Sequence, residues 1–265
     1  MGIRHVALFF GVASVASWTP LIAPVPSASA QPCPDVEVVF ARGTTEDGLG
    51  PTGQAFVDSL RSRVSGRSIG VYPVNYPAST DFATALDGIR DASAHVRSTA
   101  ANCPTTQMVL GGFSQGAAVM GFVTANVIPD GAPEGVPNPM PQDIASHVAA
   151  VALLGKPNDR FMRAINEPSI AIGPGYASKT IDLCVPNDLI CSSGTDFNAH
   201  MQYQETGLVD QAAAYSATRV LATAPPAAPP PAQPPATDGP IPQHPGLAPG
   251  TLLLCKTTCS VISPT

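Results

Sequence analysis

Two periods of apolar residues alternate along residues 31–223. Short runs rich in valine and isoleucine read as five strands: "DVEVVFARG" from Asp35, "SIGVYPVNY" from Ser68, "TQMVLGG" from Thr106, "HVAAVALLG" from His147 and "KTIDLC" from Lys179. Between them the spacing turns helical. Phe56, Leu60 and Val64 fall four apart, and Phe82, Leu86, Ile89 and Val96 make the buried stripe of a helix spanning Thr80 to Ala101. A third helix is expected over Gln115 to Val127 and a last one from about Gln202 to Ala222. Strands apolar on both faces, separated by helices, predict a doubly wound, mainly parallel five-stranded sheet with helices on both sides, a three-layer α/β sandwich. Ligands of such sheets sit beyond the carboxyl ends of the strands.

The pattern breaks at both ends. "MGIRHVALFFGVASVASW" has a basic start at Arg4, an apolar run too short for a stable membrane span, and Ala28 and Ala30 in A-x-A spacing further on. Residues 1–30 therefore read as a secretory signal peptide. Residues 224–250 hold 11 prolines among 27 residues and read as an extended linker. Residues 251–265 form a short tail, either a tether to the cell envelope or a partner, or a disposable extension. From Gln31 on, 12 basic and 19 acidic side chains with no basic cluster argue against nucleic acid as a partner. All six cysteines follow the leader, which suits an oxidising compartment. Spacing favours Cys184 with Cys191 and Cys255 with Cys259, leaving Cys33 for Cys103. No C-x-x-C pair or His–Cys cluster supports a metal, and no cofactor is expected.

Chemistry concentrates at "GFSQG", Gly112 to Gly116, where the third strand turns into a helix at the carboxyl edge of the sheet. Small residues there let two elements pack closely. They equally allow a strained turn that holds Ser114 out as a nucleophile, with the N–H of Gln115 at a helix start facing a developing oxyanion. Such a serine needs a base later in the chain. His5 lies in the leader, His95 precedes the serine, His147 opens a strand at the opposite edge, and His244 lies in the linker. His200 alone follows the fifth strand in a loop able to return. Asp159, Asp182, Asp188 and Asp196 are candidate acids; Asp188, centred in the Cys184–Cys191 stretch, is the choice, against a reading as an ordinary turn aspartate.

These residues carry a resemblance. "CPDVEVVFARGTTE", "VLGGFSQGAAV", "LCVPNDLIC" and the histidine of "FNAHMQY" are similar, in order and spacing, to the cutinase-like serine esterases of fungi and mycobacteria, over about Cys33 to Leu221. The resemblance implies an α/β-hydrolase-like, lidless fold, with Ser114 as nucleophile, His200 as base and Asp188 as orienting acid. It also implies disulfides Cys33–Cys103 and Cys184–Cys191. Thr44 and Gln115 are implied as the oxyanion hole, with Thr44 standing where fungal members have serine.

Three loops should rim Ser114: Tyr76 to Phe82, Gly155 to Ala177 and Ser192 to His200. Tyr76, Phe82 and Phe197 are the expected substrate-lining residues, alongside Phe161, Met162, Ile165, Ile170 and Ile172. That apolar set suits a short- to medium-chain acyl ester. Phospholipase A, thioesterase and acyltransferase activities share the same constellation. A non-catalytic secreted binding protein is the reading from another class. A monomer is expected. The stretch from Pro129 to Gln142 is longer than the family needs, and as a helix-to-strand link it should lie at the amino edge, away from substrate.

Overall fold

The computed structural model describes residues 32–222, Gly2, and the backbones of two short strands near the carboxyl terminus. The leader over 1–30 and the linker over 224–250, Gly2 apart, lie outside the described residues, as do the side chains of Cys255 and Cys259. The chain divides after Ala222. Its second unit contributes an antiparallel pair, Leu252–Cys255 with Cys259–Ile262, in which Cys255 stands opposite Cys259.

In the first unit five strands form one parallel sheet: β1 (Val36–Ala41), β2 (Ile69–Pro73), β3 (Gln107–Phe113), β4 (Val148–Leu154) and β5 (Thr180–Leu183). Their spatial order is β2-β1-β3-β4-β5. The chain thus builds outward from β1 in one direction, then crosses back and builds in the other. The crevice between the ends of β1 and β3 is the switch point at which such sheets bind ligands. Crossovers between parallel strands are right-handed because the strands twist that way. They put α1 (Gly50–Arg63) on one face and α2 (Ala85–Asn102) and α3 (Gln115–Val123) on the other.

Strand alternation divides the core accordingly. Val36, Val38 and Phe40 of β1 point toward Phe56 and Leu60 of α1, a layer completed by α7 (Leu208–Ala222). Val39 and Ala41 point toward Ile89 and Val96 of α2. Where the boundaries differ from the sequence pattern, local chemistry explains it. Helix α3 stops at Val123, and the Thr124 carbonyl accepts from the Gly173 N–H at 2.9 Å instead of from a further helical turn. The last helix starts at Leu208, not near Gln202, because Gly207 has a left-handed φ of 75°. Helices α4 (Asp159–Ala164), α5 (Pro174–Ala177) and α6 (Phe197–His200) are too short to show a period in sequence. Disulfides join Cys33 to Cys103 and Cys184 to Cys191, with Cα separations of 5.5 and 5.8 Å.

Candidate active site

At the end of β3 the chain reverses through Ser114, whose φ of 53° and ψ of −119° lie where side chains are seldom tolerated. Two neighbours make the turn possible. A Cβ on Gly112 would collide with the carbonyl of Gly116, and one on Gly116 with the carbonyls of Ala41 and Arg42. The Ser114 N–H donates to the Leu154 carbonyl at 2.9 Å, tying the turn to the end of β4. The hydroxyl is thereby held out over the switch-point crevice, with the N–H of Gln115 starting α3 beside it.

His200 closes α6, a single turn capped by Asp196, whose carboxylate accepts from the Asn198 N–H at 2.8 Å. The imidazole is buried, lies face to face with Phe113 at 5.1 Å, and reaches Ser114 Oγ with Nε2 at 2.7 Å. Its Nδ1 lies 2.7 Å from Asp188 Oδ2. Asp188 is fully buried inside the Cys184–Cys191 loop. Its Oδ1 accepts from the Ile190 N–H at 2.7 Å, and its Oδ2 from the Tyr203 hydroxyl at 2.9 Å. A carboxylate surrounded by donors leaves Nδ1 of the imidazole to carry the proton and Nε2 to accept from the serine. The other acids are engaged elsewhere or exposed: Asp182 pairs with Lys156 at 3.3 Å, Asp196 caps α6, and Asp159 is exposed at the start of α4.

Several supporting residues had not been singled out in the sequence. Tyr203 is one: burial pushes its phenol well above the ordinary value, so it remains a donor to Asp188. It follows His200 by three residues but lies beyond the end of α6, so no period in the sequence marks it. Arg160 is another. Its Nη2 contacts the carbonyls of Leu189, Ser192 and Gly194, clamping the loop that carries Asp188. Arg42 does the same for the turn bearing Thr44, donating to the carbonyls of Glu46, Val74 and Tyr76. Glu46 accepts from the Gly43 N–H at 2.7 Å, and burial raises its carboxyl above the usual range.

A cavity of about 370 Å³ opens over Ser114, with Thr44, Gln115 and His200 at the same opening. Phe82 and Phe197 line it, with Phe161, Met162 and Ile165. Tyr76 does not, contrary to the sequence expectation. It is 5% exposed, packs beneath Gly88 of α2 and the Arg42 guanidinium, and donates to the Arg42 carbonyl. Its aromatic ring is core, and it supports the Thr44 turn from below. Ile170 and Ile172 also miss the cavity and cover α3 at Gly121. The long link after α3 is a second correction. Pro129, Ala132, Pro133 and Val136 line the cavity, because α3 ends early and the segment packs back against α2, where Arg90 Nε donates to the Gly135 carbonyl at 2.9 Å.

A three-layer α/β sandwich with a serine on a strained strand–helix turn and an adjoining apolar cavity defines the α/β-hydrolase class. A model of the cutinase family matches residues 32–220, and the chain belongs to that family. It is 59% identical over 165 residues to the probable carboxylesterase Culp5 of Mycobacterium tuberculosis, an alignment covering 62% of this chain and 95% of that one. With the phospholipase Culp4 of the same organism it shares 47% over 203 residues, 76% of this chain and 84% of the other. Among solved structures, a Trichoderma reesei cutinase in complex with a phosphonate inhibitor superposes with a TM-score of 0.56 at 32% identity, covering 71% of this chain and 78% of that one. The protein is a serine carboxylic ester hydrolase.

Proposed function

We propose that Ser114, His200 and Asp188 form the catalytic triad, acting through an acyl-enzyme on short- to medium-chain acyl esters. The observation that carries this reading is the unbroken chain of 2.7 Å contacts from Asp188 through His200 to Ser114 Oγ, at the mouth of an apolar cavity. His200 Nε2 takes the serine proton as Oγ attacks the ester carbonyl. The charge that builds on the carbonyl oxygen is met by the N–H of Gln115 and by the N–H and hydroxyl of Thr44. His200 then protonates the departing alcohol, and water releases the acid by the same steps in reverse. Asp188 keeps the imidazole in the required tautomer. Two disulfides support action outside the cytoplasm.

An activated serine reacts with an organophosphonate far faster than an ordinary one. The unaltered chain should lose p-nitrophenyl butyrate turnover as a phosphonate adduct accumulates on Ser114, and Ser114→Ala should neither label nor turn over. Ester turnover surviving in folded Ser114→Ala would refute the assignment.

A further inference from the structure

The cavity over Ser114 has a direction. Ala118 and Phe122 follow Ser114 at intervals of four and both line it, so one face of α3 forms a floor. At the helical rise, that floor runs about 12 Å from Ser114 to Phe122. Leu86 and Ile89 of α2 stand along it. Beyond Phe122 the helix ends, and Pro129, Ala132 and Val136 take over the lining; Pro129 and Val136, with Phe122 and Ile89, also line a small neighbouring cavity and so stand between the two.

That end wall is held in place. Ala132 N–H donates to the Pro129 carbonyl at 3.1 Å, closing a turn, and the Arg90 guanidinium of α2 grips the Gly135 carbonyl. Gly131 and Gly135 both take left-handed φ angles, 79° and 86°, that set the path of the segment. Its prolines further restrict that path. Among the described residues the cavity's charged lining is Glu46 and Glu167, with no lysine or arginine, so an anionic tail is disfavoured and the largely apolar remainder suits a hydrocarbon chain.

We propose that the segment from Pro129 to Val136 is the specificity wall of this enzyme: it ends the acyl site and sets the longest acyl chain that binds fully buried. This rests on Ser114 being the nucleophile, because the acyl chain is taken to run from Ser114 along α3. Up to the wall, each methylene buried should raise kcat/KM about fourfold. Past it, a longer chain must bend out into water and the gain stops.

Val136 is the residue to alter, since it is half-buried in a loop and bonds to nothing through its side chain. The kcat/KM values for p-nitrophenyl butyrate, octanoate and dodecanoate would be compared as ratios. Val136→Phe fills the far end and should lower the octanoate-to-butyrate ratio roughly tenfold. Val136→Ala deepens the end and should raise the dodecanoate-to-octanoate ratio several-fold; should the phenylalanine variant not fold, this one decides alone. Ratios equal to those of the unaltered chain, in protein still labelled by phosphonate, overturn the wall. An unaltered chain that does not label at all overturns the nucleophile assignment, and the wall with it.

Discussion

Tyr203 shows how much of a site's behaviour can rest on a residue that never touches substrate. Its hydroxyl donates to Asp188 Oδ2 at 2.9 Å, the oxygen that also faces His200 Nδ1, and accepts from the Val185 N–H at 3.1 Å, so it helps fix the carboxylate beside the imidazole. Tyr203→Phe removes a donor to a buried carboxylate, a bond of about 1.5–3 kcal/mol. With one donor fewer, the carboxylate holds a charged imidazole more strongly, and the acid limb of kcat/KM should move to higher pH by up to about one unit. A pH–rate profile checks this, and an unmoved limb would leave Tyr203 a packing role only. Single residues were also where the sequence was read least evenly. Ser114, His200 and Asp188 were legible because motif, chain order and loop position each narrowed the choice. Tyr76 misled because its type and place suit a pocket wall, whereas its burial depends on an arginine and a glycine distant in sequence.

The elements themselves were legible wherever a period could establish itself. The five strands follow from short runs apolar on both faces, and the first two long helices from their helical spacing, with the other two placed between and after the strands. Short helical turns and the path of the Pro129–Val136 segment did not, since a single turn has no period and a loop follows contacts made across the fold. Between elements, one polar contact carries weight. Glu37 of β1 accepts from Thr99 of α2 at 2.7 Å and lies 3.1 Å from His95 Nε2, while His95 stacks on Tyr72 of β2 at 3.5 Å. Burial alone opposes ionisation of Glu37, but the bonds from His95 and Thr99, with the charge of His95, hold its carboxyl below the ordinary 4.5. A depressed carboxyl stabilises the fold above its unfolded value, and that contribution is lost as pH falls through the folded one. Glu37→Gln should therefore lower stability by on the order of 1 kcal/mol near neutral pH. The gap to the unaltered chain should close below about pH 4, as denaturant unfolding at several pH values would show.

At the scale of the molecule, every described side chain around Ser114 comes from residues up to Ala222. A chain ended at Ala222 should keep its turnover of soluble ester and its melting temperature; a loss of either would make the remaining residues part of the catalytic unit. The placement of Ser114, His200 and Asp188 has a further consequence. His200 is 86 residues from Ser114 but only 12 from Asp188, and Asp188 is caged by a disulfide whose cysteines are seven residues apart. His200 and Asp188 thus travel together on one small cassette docked against a sheet that does not depend on it for its strand pairing. Val185, Ala199 and Tyr203 of that cassette share one buried core with β1 and α1, so a substitution that displaces it unsettles the layer beneath as well as the partners of Ser114.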